Sequence, residues 1–397
     1  MNESRSDKER KKTIIMIAFT GIHPIDTGGP AQVGFNIARE LIRNGFKLEL
    51  IFKGNSSHVS KIHEEIQEEL HKNIQLIPIE SFNRLPSSWN PIDLISQIRL
   101  ILSSIRANRE GIVIYNSPPF DLITLCPFFS RIVGCKQIFI LHGGIFNENQ
   151  GLIKKILICL QLRFIDKIIV LSDYFREIAV QNGFPSNLIS QIPNGIDRIE
   201  LSEIRELNLV GNPKILFVGR LAKIKGVDAL IKSMTLILRD FPNAHLYIVG
   251  EGPESDNLKR LTLETGLTNH ITFEGEKLPG IQTRSYYYQS DIFVLSSISE
   301  NFPMVILEAL SAGIPIVSSD IPGGVRELLT TNDLGWLIPV GSSEMMAQAI
   351  STVAKLNPNR RREIHDKEIE IAIRYDWHEI GKMYIDLMDE LMNDKKI

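Results

Sequence analysis

The sequence predicts an α/β protein with two doubly wound, parallel-sheet domains, and three observations favour this class. Short apolar runs alternate with longer amphipathic stretches, as in the βα units of a parallel sheet. The alternation stops in a polar stretch at 194–212 and then begins again. The chain has 397 residues, which is long enough for two domains, each with its own core.

The composition is that of an ordinary soluble globular protein. It is 43% hydrophobic and 23% charged, with a net charge of −3, and so gives no support to a nucleic-acid-binding protein. Cys126, Cys135 and Cys159 lie in apolar surroundings without metal-ligand spacing, which indicates reduced core residues of a cytosolic protein. No signal peptide and no apolar run of membrane-spanning length is visible. The polar segment 1–12 is expected to be a disordered tail.

Eleven apolar runs are predicted to be strands. Six belong to the first half, and they are 13–19, 47–52, 74–79, 111–116, 136–141 and 167–172. Five belong to the second half, and they are 213–219, 244–250, 270–275, 291–296 and 314–319. Helical patterns lie between them, and those at 31–45 and 173–183 each end in a glycine suited to a C-cap.

The predicted organisation therefore has four parts. A disordered tail (1–12) precedes an N-terminal Rossmann-like domain (13–200) and a C-terminal Rossmann-like domain (201–375). An amphipathic helix follows at 376–397. Ligands of such domains bind at the carboxyl ends of the strands, so the turns after the strands are the segments to examine.

Two turns of the first half are candidate binding segments. Gly28 and Gly29 permit unusual backbone torsions ahead of Pro30, and a flexible turn before a helix N-terminus suits a phosphate or a hydroxylated substrate. A simple turn is an equally good explanation. His142 ends an apolar run beside two glycines and could point into a cleft, although a lone histidine is more often structural.

A third turn carries paired positive charge. Arg220 follows the strand at 213–219, and Lys225 stands where the next helix is expected to begin. Both could converge on one anion, since arginine offers a fork for phosphate oxygens and lysine a point charge. The Walker pattern of ATPases is absent. Two further turns, at Gly252 and Lys277, could also contact a ligand but are not specific.

The segment SENFPMVILEAL (299–310) places two acids in apolar surroundings. Glu300 and Asn301 are expected at the carboxyl edge of the sheet beside the free amides of Phe302 and Met304. Glu308 lies on a helix that is apolar on nearly all sides and therefore buried. No Lys or Arg lies between 291 and 322, which weakens a local salt bridge as its partner and favours the hydroxyl groups of a polyol ligand.

These residues, in this order and spacing, resemble the retaining GT-B glycosyltransferases of family 4. The likeness covers nearly the whole chain after the tail, and its most specific segment is ISENFPMVILEALSAGIPIVSSDIPGGVREL (298–328). VGRLAKIKG (218–226) is the next most specific segment. The resemblance implies two Rossmann-like domains facing across a cleft that holds a nucleotide-sugar, with the terminal helix crossing back onto the first domain.

The resemblance also implies roles for individual residues. Arg220 and Lys225 would hold the diphosphate, and Glu308 the ribose hydroxyls. Glu300 and the backbone amides of 301–304 would hold the donor sugar. His142 would contact that sugar and its reacting end, and Gly28 with Gly29 the phosphate and acceptor.

One departure bears on donor choice. The commoner form of the motif is E-G-F-G, whereas this chain has Asn301 and Pro303 in place of the two glycines. The chain also has no D-x-D pair, so we expect no metal requirement, with Arg220, Lys225 and helix amides neutralising the leaving diphosphate. The family route is displacement on one face of the sugar, in which the departing oxygen accepts the acceptor's proton.

The expected activity is therefore transfer of a sugar from a UDP-linked donor to a glycan or polyprenyl-diphosphate-linked acceptor in cell-surface glycoconjugate synthesis. A UDP-sugar 2-epimerase of related architecture, a non-catalytic sensor and a transferase using a small soluble acceptor are the alternatives. The segment 152–164 mixes leucines with basic residues and could lie against the anionic inner face of the plasma membrane. A buried crossover helix explains it equally well.

Overall fold

The structure is a computed structural model that describes most of the chain. The described residues are 13–18, 22, 28–66, 68–79, 91–109, 111–116, 125–142, 163–198, 201–277, 280–330 and 334–393. The predicted tail at 1–12 and most of the segment 152–164 lie outside them. So do Cys159 and the two glycines that follow His142. Cys135 is buried and not in a disulfide.

The described residues form two compact units. The first contains 1–194 together with 377–397, and the second contains 195–376. Each is built around one parallel sheet with helices packed on it. The predicted fold class is confirmed.

The first unit has a seven-stranded parallel sheet in the order β3-β2-β1-β4-β5-β6-β7. Its strands are β1 Thr13–Ala18, β2 Lys47–Lys53, β3 Ile74–Ile79, β4 Ile112–Asn116, β5 Lys136–Leu141, β6 Lys167–Val170 and β7 Ile189–Gln191. Isoleucine and valine dominate the central strands, which are buried because helices cover both faces of such sheets.

The second unit has a six-stranded parallel sheet in the order β10-β9-β8-β11-β12-β13. Its strands are β8 Lys214–Val218, β9 His245–Val249, β10 Ile271–Gly275, β11 Ile292–Leu295, β12 Ile316–Ser319 and β13 Trp336–Ile338. The eleven predicted strands all form, with ends that differ by at most two residues. The strands β7 and β13 were not predicted, because each has only three residues at a sheet edge and carries little periodicity.

Thirteen α-helices are described. Five lie between strands of the first unit, and they are α1 Gly29–Arg43, α2 Ser56–Glu65, α3 Pro91–Ala107, α4 Leu125–Val133 and α5 Asp173–Gln181. Seven belong to the second unit, and they are α6 Val227–Asp240, α7 Ser255–Glu264, α8 Ile281–Gln289, α9 Met304–Ala312, α10 Gly324–Leu329, α11 Ser343–Ala354 and α12 Pro358–Arg374. The last is α13 Trp377–Asn393. None of these described helices is long and apolar enough to cross a membrane.

The helix α13 packs against α1 within the first unit. Gly381 of α13 lies so near Glu40 of α1 that a Cβ atom there would be 2.9 Å from the Cβ and Cγ atoms of Glu40. Lys167 of β6 and Glu390 of α13 form an ion pair of 2.9 Å. The close helix approach therefore depends on the missing side chain of Gly381.

Candidate functional site

The turn after β8 is held against the exit of β11 by backbone contacts. A short 3₁₀ turn at Lys223–Lys225 ends at Gly226, which has a φ of 59° and lies so close to the carbonyl oxygen of Ser296 that any Cβ would collide with it. The Ser296 hydroxyl donates to the Lys225 carbonyl at 2.8 Å, and the Ile298 amide donates to the Ile224 carbonyl at 2.7 Å. The glycine thus lets the two turns touch, and this contact fixes the position of Lys225.

Lys225 and Glu300, 75 residues apart in sequence, form an ion pair at the carboxyl end of this sheet. The Nζ atom of Lys225 lies 2.6 Å from Oε1 of Glu300, and the Ser297 hydroxyl donates to the same oxygen at 2.7 Å. The side chains are 25% and 12% exposed. The structure therefore brings together two predicted site residues, and Ser297 is a third member that sequence analysis missed.

Arg220 follows β8 and Gly219, and its side chain is exposed. No hydrogen bond or ion pair joins its guanidinium group to any residue that the structure describes. Its five donors are therefore available to an anion at the edge of the sheet where the Lys225–Glu300 pair lies.

The turn into α9 presents backbone amides beside Glu300. Pro303 is the N-cap residue, and Met304 is the first helical residue. Phe302 is buried, and Gly324 packs on it so closely that a Cβ would lie 2.6 Å from the ring. The amide of Gly324 donates to the carbonyl oxygen of Asn301 at 2.9 Å. The start of α9 thus rests on the glycine turn that follows β12.

Glu308 is buried, with 7% of its surface exposed, and its partners come from α8. The Tyr287 hydroxyl donates to Oε2 at 2.8 Å, whereas Oε1 accepts no hydrogen bond from the described residues. Burial raises the pKa of Glu308, and the charge of Arg284 together with the Tyr287 hydrogen bond reduces that rise. Arg284 is itself buried and donates to Ser311 and to the Asp197 carbonyl.

The expectation that protein donors opposite these acids are scarce was wrong. That expectation rested on the lack of Lys and Arg between 291 and 322, but the donors come from the turn after β8 and from α8. Lys225 faces Glu300, and Tyr287 faces Glu308. Oε1 of Glu308 and Oε2 of Glu300 accept no hydrogen bond from the described residues and stay open to a ligand.

The remaining candidates of the second unit are turn residues. Gly252, after β9, lies against the backbone of Leu221 with no room for a side chain. The Nζ atom of Lys277, after β10, lies 3.7 Å from Oε2 of Glu274, which also accepts a hydrogen bond from Tyr286 at 2.7 Å. Lys277, just beyond the end of β10, is thus paired with a carboxylate of that strand.

In the first unit, the structure joins His142 to the start of α1 through Asn116. The Nε2 atom of His142 lies 2.6 Å from Oδ1 of Asn116, and Nδ2 of Asn116 donates to the Pro30 carbonyl at 3.0 Å. Burial lowers the pKa of His142 to about 4, so the ring is neutral at pH 7. Asn116 ends β4 and was missed, although a polar residue at the carboxyl end of a buried strand is a recognisable signal.

The Gly28–Gly29 turn differs from the prediction in its torsions. Gly28 is the N-cap residue of α1 with a φ of −64° and a ψ of 149°, an extended conformation that any residue adopts. Gly29 begins the helix, and a Cβ there would meet no atom of a described residue within 4 Å. Among the described residues Gly29 therefore has open space around it, and the unusual torsions expected of Gly28 do not occur. Among the described residues, no group of His, Cys, Asp or Glu side chains could hold a metal ion.

Two family models match the chain, one in each half. Residues 201–368 match that of the glycosyl transferases group 1, and residues 27–199 match that of glycosyltransferase family 4. An uncharacterized glycosyltransferase of Haemophilus influenzae is 25% identical over 343 residues, which are 86% of this chain and 90% of that protein. A component of the Arabidopsis thaliana phosphatidylinositol N-acetylglucosaminyltransferase is 27% identical over 291 residues, 71% of this chain and 62% of that one.

A solved structure has the same fold. The crystal structure of Anabaena HepE in complex with UDP and glucose superimposes with a TM-score of 0.76 at 20% identity, covering 96% of this chain and 100% of that one.

Proposed function

Since the chain belongs to glycosyltransferase family 4 and has the GT-B fold, we propose that it moves a sugar from a UDP-linked donor to a glycan or lipid-linked acceptor with retention of the anomeric configuration. Glycosyltransferase activity follows from the family. The nucleotide, the stereochemistry and the acceptor are the proposed parts.

The observation that carries the proposal is the charge arrangement after β8 and β11. Arg220 has no partner among the described residues, and Lys225 lies within six residues of it, paired with Glu300. A nucleoside diphosphate brings the negative charge that an unpaired guanidinium and an ammonium group bind. Glu300 would then be free to face the transferred sugar.

Glu308 is the proposed ribose contact. Tyr287 occupies Oε2, so Oε1 can accept hydrogen bonds from the two ribose hydroxyls. A hydrogen bond to a charged group contributes about 1.5–3 kcal/mol. This contact would make a nucleoside diphosphate bind more tightly than free diphosphate.

The proposed reaction breaks the bond between the anomeric carbon and the diphosphate oxygen and forms a bond from the acceptor oxygen to the same face of that carbon. The acceptor's proton passes to the departing oxygen. Arg220, Lys225 and the first amides of α9 would stabilise the negative charge on that oxygen. No metal is needed in this scheme, since two protein cations take the role of the ion.

UDP is the first nucleotide to test because the structure of HepE contains it. A lipid-linked acceptor is favoured by the name of the Arabidopsis relative, which belongs to a phosphatidylinositol N-acetylglucosaminyltransferase. The mixture of leucines and basic residues at 152–164 supports peripheral contact with the inner face of an anionic membrane.

The decisive experiment incubates the protein with a panel of UDP-sugars and polyprenyl-diphosphate-linked or soluble glycan acceptors. Mass spectrometry identifies the product, and proton NMR of the new anomeric signal gives its configuration. We expect UDP release that requires an acceptor and a product of retained configuration. UDP release without an acceptor, together with an isomerised sugar, would instead identify an epimerase.

A further inference from the structure

Asn116 connects two segments of the first unit that are far apart in sequence. Its side chain is fully buried at the end of β4, between the start of α1 and His142. The contact with α1 is tight, because a Cβ atom at Gly34 would collide with the Asn116 amide nitrogen. The amide therefore has a single position, set by packing as well as by hydrogen bonds.

The chemistry of the partners decides which end of the amide faces which group. An amide nitrogen and oxygen are distinguished by their hydrogen-bond partners. The Pro30 carbonyl can only accept, so the donor Nδ2 must face it, at 3.0 Å. Oδ1 therefore faces His142, and since Oδ1 can only accept, Nε2 of His142 must carry the proton in the 2.6 Å contact.

We propose that Asn116 is a positioning residue that holds His142 as the Nε2–H tautomer and thereby presents an unprotonated Nδ1 atom to a hydroxyl group of the substrate. No described residue forms a hydrogen bond with Nδ1. A neutral imidazole with its proton fixed on one nitrogen is an acceptor at the other. The role for the substrate hydroxyl rests on the proposed glycosyltransferase function, whereas the tautomer does not.

The same amide ties His142 to the Gly28–Gly29 turn. Pro30 follows these glycines directly, and its carbonyl is the group that Nδ2 holds. A shift of the α1 N-terminus would therefore move the histidine ring. Asn116 thus sets the relative position of two segments that the sequence marks as binding segments.

The tautomer is tested by NMR on protein labelled with ¹⁵N-histidine, with His142→Gln identifying the signal. We expect a protected Nε2–H proton and an unprotonated Nδ1 at pH 7 in the wild type. In Asn116→Ala the protected proton should be lost through exchange with water. In Asn116→Asp it should remain, and the pKa of His142 should rise because a carboxylate favours the imidazolium form.

Gln137 provides the matched control. It is a buried amide in the same sheet that donates to the carbonyls of Pro127 and Phe164. Gln137→Ala should destabilise the unit and leave the His142 signals unchanged. A wild-type spectrum with the proton on Nδ1, or a protected Nε2–H that survives in Asn116→Ala, would overturn the proposal.

Kinetics test the consequence for the substrate. Asn116→Ala should lower kcat roughly ten- to a hundredfold, since a small misplacement of a reacting group has effects of that size. UDP affinity should stay unchanged, and Gln137→Ala should retain kcat. If the wild type transfers no sugar but shows the expected tautomer, the proposed function fails and the assignment of Asn116 stands. Unchanged kcat in Asn116→Ala would refute the positioning role.

Discussion

The ion pair between Lys225 and Glu300 predicts that removing a charge from the site strengthens UDP binding. In the structure, the ammonium group that is proposed to bind the diphosphate lies 2.6 Å from a carboxylate oxygen of Glu300. The nucleotide must compete with Glu300 for it. Replacing Glu300 by glutamine removes the competing charge and keeps the shape of the side chain. We therefore expect Glu300→Gln to bind UDP more tightly than the wild type while turnover falls.

The size of the effect follows from the hydrogen bonds involved. A hydrogen bond to a charged group contributes about 1.5–3 kcal/mol, and one between an ammonium group and a neutral amide is nearer the low end. The wild-type contact of Lys225 with residue 300 is therefore about 1 kcal/mol stronger than the contact in Glu300→Gln. UDP must overcome this difference, which corresponds to roughly fivefold in Kd. Turnover should fall roughly a hundredfold, the size found when one electrostatic group is removed from a transition state.

Isothermal titration of UDP into wild type, Glu300→Gln and Lys225→Ala measures these affinities. Lys225→Ala should bind roughly tenfold more weakly or worse, since it loses a charged contact to the diphosphate. Ser297→Ala is the matched control, because it removes a neutral hydrogen bond to the same Oε1 atom and leaves the charge. Weaker UDP binding in Glu300→Gln would refute this reasoning and place Glu300 on the nucleotide itself.

Four further predictions concern other residues. Tyr287→Phe removes the donor to Glu308 and should raise the pKa of Glu308 further. UDP binding should weaken roughly tenfold in the same titration, while pyrophosphate binding stays unchanged. Glu368 is fully buried with no partner for either oxygen among the described residues, and burial raises its pKa well above 4.5. The protonated form of Glu368 therefore stabilises the folded state at low pH, and this stability is lost as the pH rises through the folded-state pKa. Glu368→Gln should raise the free energy of unfolding at pH 8 by about 1–3 kcal/mol in urea titrations. The same variant should show no gain at pH 4. Gly381→Ala should cost about 1 kcal/mol in the same assay, because the clash with Glu40 exceeds the gain in helix propensity. Activity should survive EDTA, and complete loss that Mg²⁺ restores would show that the two protein cations are insufficient.

The central strands could be predicted because each one is buried on both faces and becomes a continuous apolar run. KQIFIL and DIFVLS are examples whose ends the structure shifts by at most two residues. The edge strands β7 and β13 could not be predicted, since three residues are too few to show a hydrophobic periodicity. The turns after the strands could be located for a topological reason, because the carboxyl ends of parallel strands meet at one edge of the sheet.

The partners of the two glutamates could not be predicted from local composition. Glu308 is paired with Tyr287, 21 residues earlier, and Glu300 with Lys225, 75 residues earlier. A count of basic residues near 299–310 carries no information about either contact. The strand order β8-β11 brings Lys225 and Glu300 together, and the packing of α8 on α9 brings Tyr287 to Glu308. His142 was identified from its position at a strand end, whereas its tautomer depends on Asn116 and on the carbonyl of Pro30.

The Lys225–Glu300 pair also lets two opposite charges lie in a half-buried site. An uncompensated buried ion costs several kcal/mol, and the pair removes that cost within the protein. On the proposed roles, the transition state carries negative charge on the leaving diphosphate oxygen and positive charge on the sugar ring. Lys225 would contact the leaving diphosphate oxygen, and Glu300 would contact the sugar ring. One ion pair within the protein is thereby exchanged for two ion pairs with the reacting groups. Positive charge develops on the sugar ring only as the bond breaks, so the contribution of Glu300 falls on the transition state more than on the bound donor, whereas Lys225 also binds the diphosphate of the donor.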